Sequence, residues 1–181
     1  MTPLPWIVRF APLIPPGGEV LDLACGSGRH SRLMLERGHP VCAVDRDVSR
    51  LSDIAETPGL NVLEADLETA TDPFGPGGIL QERQFAGIIV TNYLYRPLIP
   101  GLFAALSENG ILIYQTFALG NEAYGRPRNP DFLLHQGELL EMAEAAGLEI
   151  VAYKQGLIDD PAPAIVGQLC ARRSPNPVGK S

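Results

Sequence analysis

Cysteine is scarce in this sequence. The three present, Cys25, Cys42 and Cys170, are odd in number and contain no CxxC pair. That excludes a disulfide framework and offers no zinc or dithiol motif, so no metal is expected and a reduced, cytoplasmic setting fits best. Long apolar runs are also missing. Stretches such as Phe85–Val90 fall far short of the ~20 residues a membrane helix needs. Met1–Gly18 has prolines at 3, 5, 12, 15 and 16 and no cationic start before an apolar run, so it does not read as a signal peptide. Basic residues are in the minority, 14 Lys and Arg against 21 Asp and Glu, for a net charge of −7. Broad, sequence-blind nucleic-acid binding rests on phosphate neutralisation and is disfavoured by that balance. A local basic groove is not.

Glycine and proline are abundant, 19 and 17 of 181 residues, well above the combined average of roughly 12%. With 45% apolar and 19% charged residues, the composition is globular and the length fits one domain, residues 1–173, followed by a flexible tail at 174–181. Apolar, β-branched runs at Glu19–Ala24, Pro40–Asp45, Asn61–Ala65, Phe85–Thr91, Ile111–Phe117, Leu148–Tyr153 and Ala164–Ala171 predict seven strands. The first five are continuously apolar, as in parallel strands covered on both faces. Helical patterns at Arg29–Arg37, Asp47–Thr57 and Glu138–Ala146 intervene, two of them ending at a glycine suited to a left-handed cap. The fold expected is α/β: a doubly wound, mostly parallel seven-stranded sheet with helices on both faces, Rossmann-like. Residues 69–84 lack helical periodicity and read as a loop. Residues 119–136 form a second irregular stretch, of a length usual for a functional lid. The N-terminal segment 1–18, with Trp6, Ile7 and Phe10, is expected to cover the site from the other side.

In an open α/β sheet, ligands bind beyond the carboxyl ends of the strands. The run Asp22-Leu23-Ala24-Cys25-Gly26-Ser27-Gly28 follows the first predicted strand and leads into a helix, Asp45 closes the second strand, and Asp66 follows the third. Small residues at 24, 26 and 28 let a backbone approach a ligand. A dinucleotide site favours a third glycine where this chain has Ser31, which weakens the reading as an NAD(P)-dependent oxidoreductase. An ammonium group, a ribose diol and an adenine amine would together employ three acids, and S-adenosylmethionine carries all three.

With Asp22–Gly28, Val44-Asp45, Glu64-Ala65-Asp66-Leu67 and Ile88–Leu94 in this order and spacing, the chain resembles a class I, seven-stranded S-adenosylmethionine-dependent methyltransferase. Cys25-Gly26-Ser27-Gly28-Arg29-His30-Ser31 is closest to the small tellurite-resistance-like branch. The resemblance implies that Asp22 and the loop of Ala24, Cys25, Gly26 and Gly28 hold the methionine end. It places Asp45, with Arg46 beside it, at the ribose, Asp66 and Leu67 at the adenine, and Asn92 beside the methionine portion. S-adenosylhomocysteine would be the product. Asn92-Tyr93-Leu94-Tyr95-Arg96-Pro97 lacks the Asn-Pro-Pro-Tyr type signature of amino-methylating relatives. Tyr93, Tyr95, Arg96, Tyr124 and Arg126 remain as substrate-site candidates, suited to an aromatic or anionic small molecule. Glu122, Asp131 and His135 are candidate bases, none singled out by spacing. His30 is placed either to touch the cofactor or to make a structural hydrogen bond. Two further readings stay open: a cofactor-binding regulatory module acting on a protein partner, and an RNA partner held by Arg96, Arg126, Arg128, Arg172 and Arg173.

Overall fold

Seven strands form one sheet in a computed structural model that describes residues 2–69 and 71–175. They are β1 (Val20–Leu23), β2 (Val41–Asp45), β3 (Leu60–Glu64), β4 (Phe85–Thr91), β5 (Leu106–Phe117), β6 (Glu149–Ile158) and β7 (Ala164–Arg172), in the order β3-β2-β1-β4-β5-β7-β6. Strands β1 to β5 run parallel, while β7 is antiparallel to both β5 and β6. The doubly wound sheet expected from the apolar runs is present. Its order reverses between β1 and β4, where a ligand crevice belongs.

Alternate residues of each buried strand feed two cores. Leu21, Leu23, Val44, Ile88, Val90 and Leu112 pack on one face with helices α3 (Ile99–Ala104) and α4 (Glu138–Ala145). Val20, Ala43, Ile89 and Ile113 pack on the other with α1 (Pro5–Phe10) and α2 (Arg29–Glu36). Helix α3 carries no strong periodic signal because it is one short turn and a half opened by Pro100. There a missing N–H costs nothing. A side chain at Gly101 would meet the Phe74 ring at 3.0 Å, so glycine is a packing requirement rather than a breaker.

The helix predicted over Asp47–Thr57 does not form. A single 3-10 turn spans Ser49–Leu51, and backbone bonds run i to i−3, from Leu51 to Val48, from Ile54 to Leu51 and from Thr57 to Ile54. The Asp45 and Asp47 carboxylates accept from the amides of Asp47 and Ser49, and such local acceptors compete with a helical ladder. Strand β6 runs past the predicted Tyr153 to Ile158 because its antiparallel pairing with β7 continues through the polar Lys154 and Gln155. Residues 71–84 form turns, as expected. Of the predicted tail, residues 176–181 lie outside the described residues. No helix among the described residues is long and apolar enough to cross a membrane.

Candidate active site

Two clefts open along the carboxyl edge of the sheet and share Asn92 and Phe117. The first, of about 550 Å³, lies over the ends of β1 to β4 and is lined by Ala24, Asp45, Arg46, Asp66, Leu67, Glu68, Asn92 and Tyr93, among others. Its size falls in the range of small-molecule sites. The second, of about 270 Å³, is walled by Leu4, Arg29, Gln115 and Phe117, by Asn121, Tyr124, Gly125 and Arg126 of the 119–136 loop, and by the β6–β7 hairpin tip from Ile158 to Ala164.

The loop after β1 is built on left-handed residues. Ala24, Gly26 and Gly28 all have positive φ, which brings the chain from strand to helix within a few residues. A Cβ at Gly26 would meet nothing within 4 Å, so the backbone there is open to close approach. A Cβ at Gly28 would lie 2.2 Å from Leu51 Cδ2. The Cys25 amide donates to the Val44 carbonyl at 3.0 Å, and the Gly26 amide donates to Asp45 Oδ2 at 2.8 Å. The other Asp45 oxygen accepts from the Asp47 amide at 3.1 Å. Asp45 is thereby held rigidly, with lone pairs left over. Asp66 is held in the same way by the Glu68 amide at 2.9 Å.

Asp22 does something different from what its position in sequence implies. Its carboxylate is 1% exposed and accepts a 2.6 Å bond from Ser31 Oγ, so it lies beneath the loop rather than on either cleft wall. Burial pushes its pKa up to about 6 against the bond from Ser31 and the Arg29 charge. The position that a dinucleotide fold would give to glycine is therefore occupied by the hydroxyl that satisfies this acid. Cys25 is buried as well, and burial together with Asp22 and Asp45 raises its thiol pKa. Such a thiol is a poor nucleophile.

Among the substrate candidates, Tyr93 lines the first cleft, where burial and the Glu68 and Asp66 carboxylates raise its pKa. Tyr124 and Arg126 line the second. Arg96 lines neither. Its guanidinium binds both oxygens of Glu138, at 2.6 and 2.9 Å, and the carbonyls of Asp131 and Leu133, so it clamps the base of the 119–136 loop to α4. Tyr95 packs against the α3 and α4 core. The candidate bases Glu122, Asp131 and His135 line neither cleft. Trp6, Ile7 and Phe10 belong to the core, and among the described residues of the N-terminal segment only Leu4 reaches a cleft wall. His30 Nε2 accepts from the Leu4 amide at 3.2 Å, and Nδ1 faces Thr91 Oγ1 at 3.5 Å. Burial and Arg29 push its pKa down to about 3, so the ring is neutral and structural. The five arginines proposed as an RNA patch do not form one free surface. Arg96 is clamped, Arg173 donates to the Phe103 carbonyl, and Arg172 pairs with Glu149 beside the start of β5, at the opposite sheet edge.

Several cleft residues escaped the sequence reading. Gln115 and Asn121 are buried polar residues facing the second cleft. Gln115 accepts from Gln168 Nε2 at 2.8 Å, and Asn121 accepts from the Ile165 amide at 3.2 Å. A polar residue inside the apolar run Ile111–Phe117 was the available signal for Gln115. The hairpin tip had none.

No protein-family model matches the chain, and no curated protein does. Solved structures do. TehB from Haemophilus influenzae superposes with a TM-score of 0.69 at 19% identity, over 93% of this chain and 61% of that one. This chain thus spans about three-fifths of TehB. A Burkholderia thailandensis 1,6-didemethyltoxoflavin-N1-methyltransferase, solved with 1,6-didemethyltoxoflavin and S-adenosylhomocysteine, gives 0.66 at 19%, over 94% of this chain and 76% of that one. The fold is that of the S-adenosylmethionine-dependent methyltransferases. The same fold also carries other chemistry: the cyclase SpnF matches at a TM-score of 0.67 and 15% identity, over 94% of this chain and 79% of that one.

Proposed function

We propose that this protein is an S-adenosylmethionine-dependent methyltransferase acting on a small molecule, with the cofactor in the first cleft and the acceptor in the second. Because fold alone does not fix activity, the reading rests on one observation: two backbone-anchored carboxylates, Asp45 and Asp66, stand over adjacent strand ends beside a left-handed glycine loop. The residues fit the cofactor. Asp45 has acceptor capacity left for a ribose diol, with Arg46 at its side. Asp66 and the buried Leu67 offer a polar and an apolar contact for adenine. Ala24, Gly26 and Gly28, with Cys25 tied back to β2, give the close backbone approach that the methionine portion needs. Asn92 stands at the junction of the two clefts. Asp22 acts from beneath, fixing Ser31 and adding negative field under a cationic ligand.

Held by Asp45, Asp66 and the Ala24–Gly28 loop, the cofactor would supply an electrophilic methyl group on a sulfonium, for transfer to a lone pair of the acceptor with a neutral thioether as the leaving group. The protein's share is alignment and exclusion of water. Leu4 of the N-terminal segment and the 119–136 loop serve as walls for that purpose, and residues 1–173 act as one catalytic domain. Titration calorimetry with S-adenosylhomocysteine and with NAD tests the reading. Binding of the first and not the second is expected, whereas binding of NAD alone would establish the oxidoreductase instead.

A further inference from the structure

The two clefts carry opposite charge. Asp45, Asp66 and Glu68 line the first against a single Arg46. The second contains Arg29 and Arg126 and no Asp, Glu or His among its described lining residues. Neither arginine forms an ion pair with a described acid. Arg29 is partly buried, and burial lowers its pKa while the charge of the buried Asp22 beneath the loop opposes that. Around these cations the walls are apolar or aromatic: Leu4, Phe117, Tyr124, Pro161, Pro163 and Val166.

We infer that the second cleft selects a small organic acceptor that carries a negative charge, its anionic group held by Arg126 and its apolar body by Phe117, Tyr124 and the proline-rich hairpin tip. Two features of the cleft carry this. Arg29 is a half-buried cation that forms no ion pair, which is costly, and an incoming anion offsets that cost through charge-assisted bonds, while the exposed Arg126 adds a second cation to the same wall. With no carboxylate or imidazole among the described lining residues, the wall offers no ordinary general base for a proton of the acceptor. The nucleophile must therefore arrive with its lone pair available, as an anion or an unprotonated ring nitrogen does. Arg126 here is a specificity residue; it does no chemistry on the methyl group. The inference takes the second cleft as the acceptor site and so rests on the methyltransferase reading.

Three probes of one shape test it: benzoate, benzamide and benzamidine, titrated by ligand-observed NMR into the intact protein with and without saturating S-adenosylhomocysteine. Benzoate is expected to bind most tightly and benzamidine least, with S-adenosylhomocysteine leaving benzoate bound. Arg126→Gln should weaken benzoate on the order of tenfold, as for loss of a charge-assisted hydrogen bond, while the affinity for S-adenosylhomocysteine stays unchanged. Equal binding of the three probes would overturn the inference. So would displacement of benzoate by S-adenosylhomocysteine, since the cations would then serve the cofactor's own carboxylate. Failure of S-adenosylhomocysteine to bind at all strikes the methyltransferase reading instead, and the benzoate preference with its Arg126 dependence still decides the charge selectivity of the cleft.

Discussion

The first cleft is made by strand ends and the second by loops, and the contrast explains both their chemistry and their legibility. In the first, the two acids are held by backbone close to them in the fold: Asp45 by Gly26 and Asp47, and Asp66 by Glu68. In the second, the walls come from the N-terminus, β5, the 119–136 loop and the β6–β7 hairpin, brought together only by the completed fold. A site of the first kind suits a ligand that never changes. One of the second kind suits a ligand that differs between proteins sharing the sheet, because loops vary at little cost to the core.

Breaking the first cleft should have the largest effect. Asp45→Ala removes the acceptor proposed for the ribose and also frees the Gly26 amide, so affinity for S-adenosylhomocysteine is expected to fall on the order of 100-fold by calorimetry, the loss of two hydrogen bonds to a charge. An unchanged affinity would remove Asp45 from the site. The second cleft depends on its clamp. Arg96→Ala leaves the half-buried Glu138 carboxylate without its cation and releases the carbonyls of Asp131 and Leu133, at a cost of about 2 kcal/mol in denaturant unfolding. Amide exchange should accelerate within 119–136 and not in β1 to β4. Uniform acceleration would mean that the clamp serves the whole fold. Gly28→Ala tests the joint between loop and helix. Its Cβ must displace the fully buried Leu51 and sit at a φ of +69°, costing about 1–2 kcal/mol of stability.

The seven-stranded sheet, its parallel strands and the acids Asp45 and Asp66 at the ends of β2 and β3 were legible because each depends on a few adjacent residues: an apolar run, a glycine turn, a carboxylate after the last buried position. Where sequence reading failed, the deciding contact was distant. Asp47–Thr57 has helical spacing, yet the Asp45 and Asp47 carboxylates capture the amides that would open a helix. Arg96 was expected in the substrate site because it follows the β4 motif, and its partner Glu138 is 42 positions away. Tyr95 beside it turns into the core for the same reason. The hairpin tip 158–164 has no sign of function in its residues, and it lines the second cleft only because β7 returns antiparallel between β5 and β6.

Asp22 belongs to neither cleft wall, and its effect on stability is the smallest and the most diagnostic. Its folded pKa of about 6 lies above the ordinary aspartate value of 3.8, so the native protein binds this proton more tightly than the unfolded chain. Stability from this group is therefore fully present below about pH 4 and is lost as pH rises through about 6. The shift corresponds to about 3 kcal/mol, partly offset in a substitution because the charged acceptor of the Ser31 hydroxyl becomes a neutral one. Asp22→Asn is expected to stabilise the protein by about 1 kcal/mol at pH 7 and to confer no gain at pH 4, in paired urea titrations. If the same variant weakens S-adenosylhomocysteine binding at pH 7 while raising stability, the buried charge is retained for its field under the ligand. If binding is untouched, Asp22 serves only to seat Ser31 and the turn into α2.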